Sequence, residues 1–275
     1  MKRYQSSEDT VDASIIIVNY NSRPFLEACL DNLRATAGTP LEIIIVDNHS
    51  SDDSRSYLHG ITQPGIRTIY NQSNAGFARA CNQGVDAAKG NVLITMNPDV
   101  LTAKGWLERM VWHLRHNPRT LAVGPKGMGI GGRQAALPLC YSSKLEAAGR
   151  KFAAVYHRQS EPVKYLIGCL FLFDRRLIKE IGYFDEALPL GADDFDISLR
   201  IRKAGYQLRV ARDVLIQHLA HRSFNRSNPE ECQRLENASY QHFYKKWAKE
   251  LGEFGWQRLL EDSSPVFPHE TEFFK

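Results

Sequence analysis

Four short runs rich in β-branched residues constrain the fold of this chain more than any other feature: residues 14–18 (SIIIV), 41–46 (LEIIIV), 66–70 (IRTIY) and 91–96 (NVLITM). A strand with one wet face alternates apolar and polar residues, so runs this apolar predict strands covered on both faces. Between them the apolar period changes. Phe25, Leu26, Cys29, Leu30 and Leu33 share one side of a helix, as do Phe77, Cys81, Val85 and Ala88. Asn19-Tyr20-Asn21-Ser22 with Pro24 supplies helix-capping chemistry, and Gly38-Thr39-Pro40 stops that helix. The polar segment 47–54 (DNHSSDDS) turns the chain and caps the next helix. Such alternation predicts an α/β fold with a mainly parallel, mixed central sheet layered by helices.

Composition admits that fold and removes several function classes. At 275 residues, 43% hydrophobic and 24% charged, the chain has room for one large domain with an appendage. A net charge of +4 is too mild to argue nucleic-acid binding, and no nucleic-acid partner is expected. No apolar run reaches the roughly 18–20 residues that span a bilayer. Residues 1–10 lack the apolar centre of a secretory signal. Cys29, Cys81, Cys140, Cys169 and Cys232 are odd in number and never spaced C-x-x-C, which reads as reduced, mostly buried thiols. The expected setting is cytoplasmic.

In open sheets of this type ligands sit beyond the carboxyl ends of the strands. Asn19, Asn21, Asp47, Asn71, Asn74, Asn97 and Asp99 stand at four consecutive strand ends. Any one of them serves equally well as a turn or cap residue; the set favours a site. A phosphate-cradling GxxxxGK[ST] loop is absent, and NYNSRP after the first strand is no dinucleotide fingerprint. Gly127, Gly129, Gly131 and Gly132 follow the strand-like residues 121–124, but with Pro138 and no clear helix behind them they read as a mobile loop. Asn97-Pro98-Asp99 places an amide and a carboxylate in one turn, oxygen ligands that suit a hard cation such as Mg2+ or Mn2+ completed by substrate phosphates.

The second half adds an apolar strand over 164–173 and a short helix over 174–181 ended by Gly182. Asp193-Asp194-Phe195-Asp196 opens a further helix, where three carboxylates complement the helix dipole or form a site. His218 ends the apolar run 214–217, with His221 and Ser223 nearby; a structural histidine and a ligand are both open readings. From Asn228-Pro229 a helix begins. Its stripe of Tyr240, Phe243, Tyr244, Trp247 and Leu251, with Lys245, Lys246 and Lys249 beside it, docks on the domain, lies on a membrane surface or forms a homodimer contact.

Six segments now carry a resemblance: SIIIVNYNS (14–22), IIIVDNHSSDDS (43–54), NAGFARACNQG (74–84), LITMNPDV (93–100), GYFDEALPLGADDFDISLRIRKAGY (182–206) and the 218–223 stretch. In this order they resemble an inverting family-2 glycosyltransferase of GT-A fold, of the bacterial rhamnosyltransferase-like branch. The resemblance implies a catalytic domain over 1–224 and a C-terminal helical extension over 225–275. It also implies a nucleoside-diphosphate sugar donor, UDP- or dTDP-linked, and a glycan or lipid-linked acceptor met at the inner membrane face. Asn19 and Tyr20 would line the nucleotide pocket, Asp47 bind base or ribose, and Asn74 approach the donor. Arg79 would pair with phosphate or stay a solvated helix residue. Asp99 matches the last acid of the family's D-x-D metal motif, whose first acid is Asn97 here. Asp194 matches the general base, and Asp193 stands where the family usually has Glu. His218 would contact metal or diphosphate. A catalytically inactive sugar-nucleotide-binding module is the alternative.

Overall fold

A computed structural model describes residues 12–39, 41–136, 145–219 and 229–252, with Leu259 and Phe267. Residues 1–10, Pro40, Pro138, Cys140, His221, Ser223, Asn228 and most of the tail therefore lie outside the described residues. The elements run β1 (Ala13–Asn19), α1 (Arg23–Thr36), β2 (Glu42–Asp47), α2 (Ser54–His59), β3 (Ile66–Tyr70), α3 (Phe77–Ala87), β4 (Val92–Met96), β5 (Val100–Thr102) and α4 (Trp106–His116). They continue with β6 (Thr120–Met128), α5 (Leu145–Val155), β7 (Ser160–Val163), β8 (Leu170–Asp174), α6 (Arg176–Ile181), α7 (Asp193–Lys203), β9 (Gln207–His218) and α8 (Pro229–Leu251).

The strands form one sheet in the order β3-β2-β1-β4-β8-β6-β9-β5, with β7 paired to β9. The first four pair in parallel; β8 then runs antiparallel to both β4 and β6. The apolar runs have the burial their composition demands. Ile15, Ile17, Ile43 and Ile45 face one core, closed by Leu26, Leu30 and Leu33 of α1 and by Trp106, Leu107 and Met110 of α4. Ile16, Ile44 and Val46 face the other, closed by Cys81 and Val85 of α3 and by Ile197 and Ile201 of α7. Alternate residues of one strand thus feed two cores, which is why neither set can be polar. Gly84 lets α3 lie directly on β1: a Cβ there would stand 2.3 Å from Ile16 Cγ2.

Three local expectations are corrected. Ser22 does not cap α1 with its side chain; its hydroxyl donates to the Tyr20 carbonyl (2.9 Å), and Asp52 accepts the Arg23 N–H instead (3.0 Å). The apolar run 164–173 is strand only from Leu170. Its earlier N–H groups turn to side chains rather than to a neighbouring strand: Leu166 to Ser198 Oγ (3.2 Å), Ile167 to Gln134 Oε1 (2.6 Å) and Gly168 to Asp194 Oδ2 (3.1 Å). The glycine cluster is a packed turn rather than a loose loop. Gly127 belongs to β6 and bridges to Ala135, and a 3-10 turn at Gly132–Gln134 buries Gln134.

The stripe on α8 is buried within the chain. Phe243, Trp247 and Leu251 pack with Leu188, Ala192 and Leu199, while Tyr244 stays exposed. Among the described residues no helix is long and apolar enough to cross a membrane. Cys29, Cys81, Cys169 and Cys232 are free and buried. The helix is also tied electrostatically. Asp196, without exposed surface, accepts from Trp247 Nε1 (2.8 Å) and pairs with Arg200 Nε (2.8 Å) and Lys246 Nζ (2.8 Å). Trp247→Phe deletes one donor to this buried charge and should cost about 2 kcal/mol. Trp247→Ala adds a cavity and should cost about 3–5 kcal/mol, both read from denaturant midpoints.

Candidate active site

The strand ends of the parallel half are stitched into one rim. Asn19 and Asp47 are partners in the β1–β2 register, and the buried Asn19 Nδ2 donates to Asp47 Oδ1 (3.0 Å) and Ser50 Oγ (3.0 Å). Asp47 Oδ2 accepts the Ser50 N–H (3.2 Å) and lies 3.5 Å from Arg55 Nε. Asn21 Oδ1 accepts the N–H groups of Ser51 (2.7 Å) and Asp52 (3.2 Å), so the loops after β1 and β2 form one unit. Asn48 joins the next loop: its Nδ2 donates to Asn74 Oδ1 (2.7 Å), and its Oδ1 accepts from Asn71 Nδ2 (3.0 Å) and from the Ala75 N–H (2.9 Å).

Beside this rim lies a cavity of about 300 Å³, lined on one side by Val18, Tyr20 and Ser22 and on another by Asn97, Pro98 and Asp99. His218 reaches the same cavity because β5 pairs Val100 with His218, side by side with the Asn97–Asp99 turn. Its Nδ1 stands 3.3 Å from the Gly129 carbonyl oxygen, to which an Nδ1–H can donate. Nε2 then faces Asp99 Oδ1 at 3.2 Å, with Asn97 Nδ2 3.4 Å away. A nitrogen lone pair and a carboxylate oxygen this close repel unless a proton or cation sits between them. One nitrogen and one oxygen donor at this separation fit a divalent ion that takes its remaining ligands from water and substrate phosphate. Among the described residues no three or more acidic, histidine or cysteine side chains gather as a metal cage. Burial and the Asp99 charge hold the neighbouring Cys169 thiol well above its usual range, so it stays protonated.

The third wall comes from the start of α7. Gly191 (φ 75°) and Ala192 (φ 62°) are both left-handed, an uncommon backbone for alanine, and this sharp entry aims Asp193 and Asp194 into the cavity. Asp194 Oδ2 accepts the Gly168 N–H (3.1 Å) and Oδ1 the Phe195 N–H (2.8 Å). Gly168 permits this seating, since a Cβ there would stand 3.3 Å from Asp194 Cβ. Burial nevertheless dominates and pushes the Asp194 carboxyl up to about 6, against the lowering by those N–H bonds. Asp193 is also raised, by burial and then by the Asp194 charge.

Tyr20, Asn97, Asp99, Asp193, Asp194 and His218 thus share one cavity. Asn19 and Asp47 lie buried behind it, and Asn74 supports the loop before α3. Arg79 is exposed and 3.9 Å from Glu186, off the cavity wall. Sequence reasoning passed over Asn48, which has the look of any turn residue, and Gly168, hidden in an apolar run. It also missed Glu236, an α8 residue that lines the cavity and sits off the aromatic stripe.

The family model "Glycosyl transferase family 2" matches residues 14–182. The pre-mycofactocin glycosyltransferase of Mycobacterium tuberculosis is 25% identical over 209 residues, covering 75% of this chain and 42% of that one. The N-acetylglucosaminyl-diphospho-decaprenol L-rhamnosyltransferase of the same organism is 25% identical over 236 residues, covering 75% and 76%. The chain spans only 35–42% of the length of the first curated relatives it matches. A structure of GalNAc-T7 with UDP, GalNAc and Mn2+ superposes with a TM-score of 0.64 at 18% identity, covering 96% of this chain and 57% of that one, and shares the GT-A fold.

A carboxyl raised in the folded state binds its proton more tightly there than when unfolded. It therefore makes the fold less stable as pH rises from about 4, the unfolded value, to about 6. Asp194→Asn should flatten this part of the pH dependence. The gap in melting temperature between variant and wild type should shift in the variant's favour across that window and stay constant above pH 7.

Proposed function

This chain belongs to glycosyl transferase family 2, and we propose that it moves a sugar from a UDP- or dTDP-linked donor to a hydroxyl acceptor with inversion at the anomeric carbon. The observation that carries this reading is that one cavity is lined by both the Asp99–His218 pair and Asp194. An in-line displacement needs a base on the acceptor side and charge neutralisation on the leaving side. Asp194 takes the proton of the acceptor hydroxyl while that hydroxyl's oxygen bonds the anomeric carbon and the bond from that carbon to the diphosphate oxygen breaks. A carboxyl lifted to about 6 is a stronger base than an ordinary aspartate yet still ionised at neutral pH. Asp193, buried beside it, has its carboxyl raised by burial and then by the Asp194 charge, and so is coupled to the base rather than to the substrate.

Donor charge presents the second requirement. Asp99, Asp193, Asp194 and Glu236 line the cavity, and no lysine or arginine does so among its described residues. A diphosphate entering there needs a cation. Asp99 and His218 would hold Mg2+ or Mn2+, which would supply positive charge against the departing diphosphate. The Mn2+ and UDP of the GalNAc-T7 structure support this reading. Tyr20 and Asn97 meet the nucleotide-sugar at the wall. Asn19, Asp47 and Asn74 hold the loops that frame the base and ribose, whereas Arg79, exposed and off the cavity wall, takes the solvated-helix reading. The name of the rhamnosyltransferase relative gives a diphospho-decaprenol-linked sugar as acceptor and L-rhamnose as the group moved, which supports a lipid-linked glycan acceptor and a rhamnose donor here.

Thermal melts with UDP, dTDP, GDP and ADP, each with and without Mn2+, test the donor reading. A ligand bound only by the folded state raises stability by mass action. UDP or dTDP should raise the melting temperature with Mn2+ and far less without it, and Asp99→Asn should remove the metal-dependent part. No shift at millimolar nucleotide would sink the reading. Asp194→Asn should keep the nucleotide shift while losing about 10²–10⁴-fold in kcat, the share of a positioned general base. Wild-type kcat/KM should rise with pH through about 6 as Asp194 ionises. Nucleotide binding without turnover in the wild type would leave a sugar-nucleotide-binding module.

A further inference from the structure

We propose that Glu236 reads the acceptor: its carboxylate accepts hydrogen bonds from hydroxyls of a neutral sugar ring and turns away acceptors that carry a carboxylate there. The inference rests on the transferase reading above. The family match ends at residue 182, so the helix that carries Glu236 lies outside it.

Glu236 lines the same cavity as Asp193 and Asp194, on the wall that α8 contributes. Its position is fixed by its neighbours on one helix face, where residues three and four apart stand together. Ser239, fully buried, accepts the Leu190 N–H on its Oγ (3.1 Å), and Tyr240 lies 3.9 Å from where a Gly191 Cβ would stand. Further along, Lys246 Nζ reaches Asp185 Oδ2 (2.6 Å), and Trp247 donates to Asp196. Glu236 is therefore held against the loop that leads into the base-bearing turn, not carried on a free helix end.

The chemistry of the cavity then selects the ligand. Asp99 and His218, the groups assigned to the phosphates, come from the ends of β5 and β9, whereas the helix face of Glu236 meets Leu190 and Gly191 through Ser239 and Tyr240, and the charges of Asp194 and Glu236 both act on Tyr240. Apolar side chains such as Leu190 and Ile167 offer a face for sugar C–H groups, and a carboxylate offers strong, charge-assisted acceptance to ring hydroxyls. Two carboxylates, Asp194 and Glu236, make the same region hostile to a further anion.

Octyl glucoside, octyl galactoside, octyl N-acetylglucosaminide and octyl glucuronide serve as acceptor probes, with UDP-glucose and dTDP-rhamnose as donors. Acceptor-free donor hydrolysis is followed in parallel. Glu236→Gln should raise KM for a neutral glycoside about tenfold, the loss of one hydrogen bond to a charged group. Its kcat, donor KM and acceptor-free hydrolysis should stay within about twofold, and the preference for glucoside over glucuronide should narrow. Glu236→Asp should recover part of the lost acceptor affinity. Unchanged acceptor KM in both Glu236→Gln and Glu236→Ala overturns the inference, as does an equal fall in hydrolysis and transfer. Wild-type protein that hydrolyses donors but uses none of the neutral glycosides overturns it and leaves the transferase reading standing. Wild-type protein that neither binds nucleotide nor hydrolyses donor sinks both.

Discussion

A single carboxylate without exposed surface sets the terms for the cavity end of this molecule. Burying Asp196 as an anion costs several kcal/mol unless its oxygens are matched by charge and hydrogen bonds. Arg200, one turn further along α7, supplies only part of the match; Lys246 and Trp247 supply the rest from α8. The two helices are thus obliged to meet. Around that meeting point Leu188, Ala192, Leu199, Phe243 and Trp247 close a third core, and the loop before α7 is compressed into its left-handed entry. The direction of Asp194 and the wall formed by α8 both descend from this arrangement.

Sheet topology explains why groups far apart in sequence converge on one cavity. The parallel strands β1 to β4 bring their carboxyl ends to one rim. Strand β8 enters antiparallel beside β4, so the residues just before it arrive where β4 ends, and the Asn97 N–H donates to the Cys169 carbonyl (2.9 Å). Gly168 is next to it and holds Asp194. Strand β9 is read from both ends: it begins in the body of the sheet beside β6 and finishes against β5, delivering His218 to Asp99. Asp99, His218 and Asp194 share a cavity because one antiparallel strand and one long strand interrupt an otherwise repeating parallel pattern.

That interruption also marks how much was legible beforehand. The parallel half announces itself in its Ile and Val runs, because strands buried on both faces have no choice of composition. Asp99, Asp194 and His218 could be singled out as polar groups at strand or helix ends, and their gathering agrees with the resemblance of the motifs. Less legible were groups whose meaning depends on distant partners. Residues 164–169 are as apolar as any strand, yet their N–H groups are spent on Ser198, Gln134 and Asp194. Helix-start chemistry at Ser22 was legible but its cap was not, since the accepting carboxylate, Asp52, stands 29 residues away from Arg23. Burial was equally hidden at Asp194: a helix start weakens a carboxylate as a base, and desolvation outweighs that here.

The segment between α6 and α7 has a mechanical consequence. Asn82 of α3 clasps it through the Phe184 backbone, accepting its N–H (3.0 Å) and donating to its carbonyl (3.0 Å), and the Phe77 N–H donates to the Pro189 carbonyl (2.9 Å). One residue later Leu190 is held by Ser239 of α8. The segment is therefore a tie-rod anchored at one end to the helix behind the parallel strands and at the other to the C-terminal helix. A displacement of α3 has to be absorbed within a few residues, two of them already in left-handed backbone, or be passed on to α8. Two walls of the cavity are in this way joined by a linkage with little slack.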